Sequence, residues 1–367
     1  MDKMVTNNFS AGFFKGRKVF ITGHTGFKGA WLSYILSGAG AFLKGYALRP
    51  GTKPSLFEEI EASLEIDSVF ADINDYQHLE DALLSFQPDI VFHLAAQSLV
   101  RRSYQQPINT FETNIMGTAN LLQALTKLQK KCVSVLITTD KVYENKEWLY
   151  PYRETDRLGG SDPYSASKAC AELVINSYRQ SFFHPSKQDV HNKSIVSVRA
   201  GNVIGGGDWS EDRLIPDIVR SLVEQKDIAI RNPGAIRPWQ HVLEPIEGYL
   251  ELATAAHQHP TQFDGAWNFG PATEDHLAVL SVAEMAVKVW GSGTLDIQEN
   301  PAAVHEAGLL KLDISKARNN LNWKPRMNTA KAVDRTINWY KSFNNRTASA
   351  ASLMESDIVY YSSLIPR

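Results

Sequence analysis

Two short stretches of this sequence carry residues whose types and spacing suit chemistry. In "SVLITTDKVYEN" (134–145) an apolar run ends in Thr138 and Thr139, then sets an acid beside a base, Asp140 and Lys141. In "DPYSASKACAEL" Tyr164 and Lys168 stand four residues apart, on one face of an expected helix. A nearby Lys⁺ favours phenolate and so lowers the pKa of a tyrosine. Such a Tyr can take the proton of a substrate hydroxyl while hydride leaves for a nicotinamide. Thr139 adds another hydroxyl to share the hydrogen bond to the reacting oxygen. Taken alone, YxxxK reads as an amphipathic helix surface, and Asp-Lys as an exposed pair worth little. Together, and behind a nucleotide loop, they point to catalysis.

A plain dehydrogenase or epimerase needs only Thr139, Tyr164, Lys168 and a cofactor. An added acid and base imply an added proton transfer. If a hexose nucleotide is oxidised at C4, the ketone acidifies the C5 hydrogen. Removing that proton while protonating the C6 hydroxyl expels water, and hydride then returns to C6. Asp140 would be the general acid toward O6 and Lys141 the base at C5. Lys141 must then be neutral, against an ordinary pKa of about 10.4. Burial and the charge of Lys168 would depress it, at about 1.4 kcal/mol per unit.

The cofactor loop is sought in "VFITGHTGFKGAWLSYILSGAG", where Gly23, Gly26 and Gly29 occupy a strand-to-helix turn. Glycine lets the backbone turn tightly and approach a pyrophosphate seated on the helix amino end. The spacing is GxxGxxG, and without the strand before it and the helix after it the stretch would read as a tight turn without ligand. Asp72 and Ile73 close a third candidate strand, where Asp72 suits an adenine amino group. Leu94, Ala95 and Ala96, in "HLAAQ", close a fourth with small residues that leave room for a cofactor. The usual ribose anchor is a carboxylate about 20 residues beyond the glycines. Here "GYALRPGT" offers Arg49 instead, which either pairs a 2′-phosphate or is a solvated loop residue. NAD is the expected cofactor, with NADP left open by Arg49.

Elements must hold these groups in place. The runs 18–22, 89–96, 133–139 and 194–200 are short and apolar on both faces, as in a parallel sheet covered on both sides. Between them, 28–40, 75–87, 107–130 and 163–183 have helical spacing. Alternation of this kind predicts an α/β fold with a doubly wound, Rossmann-type parallel sheet. After Ala200 the chain turns Gly-rich and polar, then rich in Pro, Arg and Trp, which predicts a smaller, discontinuous substrate-binding lobe. The expected division is 1–204 with 242–270 for the dinucleotide, 205–241 and 271–345 for the substrate, and 346–367 as a tail.

Lys plus Arg total 38 and Asp plus Glu 40, a net charge of −2 that gives no reason to expect nucleic acid or membrane as partner. Two cysteines, Cys132 and Cys170, make no disulfide framework and no metal-ligand spacing. The sequence shows no signal peptide and no membrane-spanning apolar stretch, so a cytoplasmic protein without metal is expected.

In this order, TGxxGxxG, LAAQ, Asn114 in "TNIMGTANLL", the strand-end hydroxyl and YxxxK resemble the extended short-chain dehydrogenase/reductase family. With Asp-Lys after the threonine, the chain is similar to its sugar-nucleotide 4,6-dehydratase branch, in the form of the CDP-glucose 4,6-dehydratases. "TGHTGFKGAWLS", "RAGNVIGGGDW", "IRNPGAIRPWQHVLEP", "WNFGP" and "KLDISKA" extend the likeness from residue 22 to about 317. The resemblance implies an NAD-dependent lyase acting on a nucleotide sugar, as a homo-oligomer (dimer or tetramer). Its product would feed deoxysugar synthesis for surface polysaccharide such as lipopolysaccharide O-antigen. An epimerase, or an enzyme for another nucleotide sugar, is the alternative, and an inactive nucleotide-binding protein on this fold is a third. The resemblance also implies cofactor contacts from His24, Thr25, Phe27 and Lys28, with a weaker grip on NAD, and substrate contacts from Gln97 and Asn202. Arg213, Arg237 and His241 are candidates for phosphate or ribose, because guanidinium binds phosphate through two bonds. For each arginine the ordinary alternative is a surface ion pair. Helices 107–130 and 163–183 are the expected subunit faces.

Overall fold

The computed structural model describes residues 11–297 and 308–364. Residues 298–307 of the expected substrate lobe, and both chain ends, lie outside the described residues. Seven strands form one sheet: β1 (Lys18–Thr22), β2 (Phe42–Ala47), β3 (Ile66–Phe70), β4 (Ile90–His93), β5 (Cys132–Ile137), β6 (Lys193–Ala200) and β7 (Gly265–Phe269). Neighbours run parallel throughout, in the order β7-β6-β5-β4-β1-β2-β3. Strands β4, β5 and β6 are buried along their whole length, as strands covered on both faces must be.

The longer helices are α1 (Phe27–Gly38), α2 (Tyr76–Phe86), α3 (Gly117–Lys127), α4 (Pro163–Ser181) and α5 (Leu214–Val223). They continue with α6 (Leu243–Gln258), α7 (Val279–Trp290), α8 (Thr329–Asn344) and α9 (Ala350–Ser363). One face of the sheet packs α2, α3 and α4 through Leu79, Leu83, Leu121, Leu125 and Ile175. On the other face α1 and α6 meet it through Trp31, Leu32, Leu250 and Ala253, in a core that continues into α5, α7, α8 and α9. A ligand cleft belongs where the strand order reverses, at the carboxyl ends of β1 and β4.

The stretch 107–130 is not one regular helix. Pro107–Phe111 and α3 are joined by a π-helical turn, Glu112–Met116. Such turns mark functional sites, and this one aims Asn114. The Asn114 side chain accepts from Gln97 N–H at 2.9 Å and donates to Gln97 C=O at 3.0 Å and to Ser167 Oγ at 2.8 Å. It thereby ties the loop after β4 to the helix carrying Tyr164 and Lys168.

Outside the sheet, the described residues after β6 hold α5, α7, α8 and three two-stranded pairs, Val203–Ile204 with Gln240–His241, Ile236–Arg237 with Leu277–Ala278, and Ile228–Ile230 with Leu295–Ile297. The last segment corrects an expectation. Residues 346–367 read as a tail, yet 350–363 form α9, capped by Ser349, with Met354, Ile358 and Tyr361 buried. These three positions are four and three apart, a helical apolar face that the surrounding Ser and Ala obscure in the sequence. Tyr34 of α1 donates to Ala351 C=O at 3.3 Å, and Tyr361 to Glu244 of α6 at 2.9 Å.

Candidate active site

The glycine turn after β1 is held by contacts that no side chain could share. Gly23 has φ +74°, and a Cβ there would stand 2.6 Å from the Ala95 nitrogen. A Cβ on Gly29 would stand 2.1 Å from the Gly23 carbonyl oxygen. Gly26, at the N-cap of α1, has no such neighbour; its Cβ position lies 3.5 Å from the nearest protein atom. The first turn of α1 holds no acidic residue and no side-chain cap, so its N–H groups face the cleft free to receive an anion. This cradle fits the pyrophosphate of NAD.

Gly23, Thr25, Gly26, Phe27, Lys28, Gly29, Asp72, Ile73, Leu94, Ala95 and Ala96 all line one cleft of about 1330 Å³. That exceeds the roughly 300–1,000 Å³ of a site for one small ligand and leaves room for two. One expectation fails here. His24 turns away from the cleft and is fully buried, its Nε2 3.1 Å from Ser68 Oγ and its ring against Phe57 and Phe70. It fits because Gly45 has no side chain; a Cβ there would lie 2.5 Å from the imidazole. Burial lowers its pKa to about 4, so it is a neutral support under the loop. Arg49 stacks on Phe70 at 4.4 Å and does not line the cleft.

Thr139, Asp140, Lys141, Tyr164 and Lys168 converge in the middle of the same cleft. Thr139 donates to Asp140 Oδ1 at 2.9 Å and shares a hydrogen bond with the Tyr164 hydroxyl. Asp140 is only 2% exposed, and its Oδ2 has no hydrogen-bond partner. Burial raises its pKa, against the opposing effects of Lys141, Thr139 and Arg237, which suits a group that must hold a proton. Lys168 donates to Ile137 C=O at 3.1 Å, and burial lowers its pKa to about 8. The expected low phenol pKa is not found: burial pushes Tyr164 up to about 12, opposed by Thr139 and Arg213. Desolvation of the phenolate outweighs the neighbouring cation until a ligand adds charge of its own.

Gln97, Asn202, Arg213 and Arg237 also line the cleft. Gln97 is committed internally: its side chain donates to Thr110 Oγ1 at 2.9 Å and accepts from Leu99 N–H at 2.6 Å. Arg213 donates to Asp208 at 3.2 Å and to Ser98 Oγ at 3.1 Å, and so bridges the two halves of the cleft. Arg237 donates to the Ile236 and Gly308 carbonyls and acts on Asp140. His241 fails the expectation. It is fully buried away from the cleft, edge-on to Trp31 at 6.2 Å and 3.9 Å from Asp357, because Gln240–His241 runs inward beside Val203–Ile204.

Sequence reasoning missed Arg101, Asp208, Asp212, Asp217, Arg220 and Arg231 in the cleft wall. Asp212 pairs with Arg101 at 3.5 Å and Arg231 at 3.4 Å; Asp217 pairs with Arg231 at 3.7 Å and also with Arg220. Their spacing carries no period, and only the fold brings them together. Lys28 reaches the seam between the halves; burial, Arg213 and Lys168 lower its pKa to about 7, opposed by Asp140 and Asp208. Among the described residues no group of His, Cys, Asp and Glu is arranged to hold a metal, and no helix is long and apolar enough to cross a membrane.

The chain is 48% identical over 334 residues to the CDP-glucose 4,6-dehydratase of Salmonella typhimurium, covering 90% of this chain and 92% of that one. It is 27% identical to the dTDP-glucose 4,6-dehydratase of Shigella flexneri, over 75% and 78% of the two chains. Its fold matches the dTDP-glucose 4,6-dehydratase of Streptomyces venezuelae solved with NAD and TYD bound, with a TM-score of 0.74 at 22% identity, covering 90% and 98%. It also matches a UDP-glucose-4-epimerase of Stenotrophomonas maltophila with bound NAD, with a TM-score of 0.77 at 20% identity, covering 90% and 100%. The sequence profile described as GDP-mannose 4,6 dehydratase matches residues 20–336. With its glycine turn, its Tyr-Lys pair and this match over most of its length, the chain belongs to the GDP-mannose 4,6 dehydratase family of extended short-chain dehydrogenases/reductases.

Proposed function

We propose that this chain is an NAD-dependent lyase that converts CDP-glucose to CDP-4-keto-6-deoxyglucose and water. The observation that carries the reading is the buried, partnerless Asp140 Oδ2 beside Lys141, in the cleft that holds Thr139, Tyr164 and Lys168. Oxidation alone has no use for that acid and base. The nucleotide is supported by the relative that is 48% identical and named for CDP-glucose.

Gly23, Gly26 and Gly29 with the amino end of α1 would hold NAD, which would supply a reversible hydride acceptor for C4 and donor for C6. Tyr164 takes the proton of the C4 hydroxyl, steadied by Lys168⁺ and the Thr139 hydroxyl. Lys141 takes the C5 proton once the ketone has acidified it, while Asp140 gives its proton to the departing C6 hydroxyl. Burial that raises the Asp140 pKa favours the protonated form this step needs. Arg213 and Arg237 hold the diphosphate end, with Asn202 beside them. Gln97 acts through the loop it braces, and neither His24 nor His241 touches a ligand with its side chain.

The reading extends to a cytoplasmic homo-oligomer, dimer or tetramer, that supplies deoxysugar for surface polysaccharide such as lipopolysaccharide O-antigen. Support comes from two free cysteines and from exposed Ile108, Met116 and Leu173 along the helical faces expected to meet a partner.

The test is incubation with NAD and, separately, CDP-glucose, UDP-glucose and dTDP-glucose, following product mass and nicotinamide absorbance. Loss of one water from CDP-glucose without NADH build-up is the expected result. An isomer of unchanged mass would make the protein an epimerase, and stoichiometric NADH a plain dehydrogenase.

A further inference from the structure

One turn beyond Lys168 on α4, Glu172 is buried and fully engaged. It accepts from Thr138 Oγ1 at 2.6 Å, from Ser197 Oγ at 2.9 Å, and from Arg199 Nε at 3.0 Å and Nη2 at 2.9 Å. Arg199, on β6, also donates to the Tyr143 hydroxyl at 2.9 Å and to the Glu154 carbonyl at 3.1 Å. The Tyr143 hydroxyl in turn donates to Asn268 of β7 at 2.7 Å. This network brackets the reactive strip. Thr138 precedes Thr139, Asp140 and Lys141, and Tyr143 follows them, so both ends of the strip are tied through Glu172 and Arg199 to the helix that carries Tyr164 and Lys168. A carboxylate with all its acceptor positions used is a rigid fixture; losing any donor would leave charge buried and unmatched.

We propose that Glu172, with Arg199, is a positioning residue for the reaction proposed above: it fixes the strip 139–141 in register with Tyr164 and keeps Lys168 cationic. Glu172 stands at i+4 from Lys168 on one helix face. It is the carboxylate that opposes the loss of charge burial imposes on Lys168. Lys28 on α1 and His93 on β4 feel the charge of Lys168, and Tyr164 on its own helix and Asp140 after β5 line the same cleft. His93 is neutral, bonded to Thr22 Oγ1 and Thr118 Oγ1, so it brings no positive charge. Lys28 is a like charge that only weakens Lys168⁺, which leaves Glu172 to sustain it.

The inference rests on the dehydratase reading, and the test separates the two. CDP-6-deoxyglucose offers the C4 hydroxyl but no leaving group at C6, so it reports oxidation alone, as NADH absorbance, without Asp140 or Lys141. The rate is measured against pH for the native protein and for Glu172→Gln, which keeps the side-chain volume and removes the charge. In the native protein the rate falls as pH rises through the Lys168 value of about 8. In Glu172→Gln the fall moves down by about one pH unit or more, the usual effect of removing a close opposite charge, while KM changes less than about threefold. Glu172→Asp restores the position of the fall but not the full rate, because the shorter arm cannot reach all four donors. No NADH from the native protein would defeat the dehydratase reading and this inference with it. NADH formation with an unmoved fall in Glu172→Gln would overturn the inference alone. If Glu172→Gln does not fold, native-level turnover by Glu172→Asp would overturn the positioning role.

Discussion

The two halves of the cleft are held by different means. The cofactor half is shaped by backbone: the positive φ of Gly23, the close approach at Gly29, the small residues after β4 and the open amino end of α1. The substrate half is shaped by side chains: Arg213 on Asp208, Arg101 and Arg231 on Asp212, Arg220 and Arg231 on Asp217. A backbone-built site tolerates no change of residue type at its few turning points, and so it writes a short, spaced signature into the sequence. A site built from ion pairs can be assembled from distant residues in many ways and leaves no such signature. The residues proposed for catalysis lie where Thr139, Asp140 and Lys141 follow β5 and share the cleft with Tyr164 and Lys168.

Separating the halves chemically gives the largest expected effect. Lys141→Met should cut dehydration by about 10²–10⁴-fold, the worth of a positioned base, while NADH now accumulates from CDP-glucose because oxidation still runs. Exchange of the C5 hydrogen with deuterated water is the direct readout; full exchange would remove Lys141 from the base role. Next comes Gly29→Ala, which drives a methyl into the Gly23 carbonyl. NAD affinity measured by calorimetry should fall by about 100-fold, near 3 kcal/mol, with the affinity for CDP-glucose within about threefold of native. Equal losses of both ligands would show that the halves are not independent.

A smaller change is expected from Arg213→Ala, which strips Asp208 of its ion pair and the diphosphate of a donor. KM for CDP-glucose should rise about tenfold, equivalent to 1.4 kcal/mol, with NAD affinity unmoved. The smallest effect concerns stability behind the substrate half. Burial raises Glu244 to about 7 and Glu247 to about 8. Folded values above the ordinary carboxyl range mean stability is fully present below about pH 4.5 and is lost as pH rises through 7 and 8. Tm should therefore decline between pH 6 and pH 9, by about 2 °C or more, and Glu247→Gln should flatten that decline. A native Tm constant over the range would mean Arg326, 2.7 Å from Glu247, keeps the carboxylate ionised throughout.

What could be read from the sequence follows the same divide. The parallel sheet, the helices on both faces and the placement of Gly23, Gly29, Tyr164 and Lys168 around one cleft were legible, because periodicity and turn geometry are local constraints. His24 was not: it lies inside the glycine motif, but only the absence of a side chain at Gly45, on another strand, decides that it points inward. His241 likewise sits in a motif-like run beside Trp239, and pairing with Val203–Ile204 turns it into the core. The Ser- and Ala-rich terminus hid three apolar residues on one helical face. Glu172 lies in "DPYSASKACAEL" with no signal of its own, since its partners Thr138, Ser197 and Arg199 come from the end of β5 and from β6.

Helix α9 and strand β7 also bear on how the chain is made. During synthesis β6 emerges with one long edge unpaired, and it stays so until 265–269 arrives to cover it. Tyr34 of α1 waits longer still, for the Ala351 carbonyl it donates to. A nascent chain thus carries a sticky sheet edge until β7 is made, the kind of surface that invites aggregation or a chaperone. Shortening the chain at residue 349 would permanently uncover the core that Met354, Ile358 and Tyr361 fill.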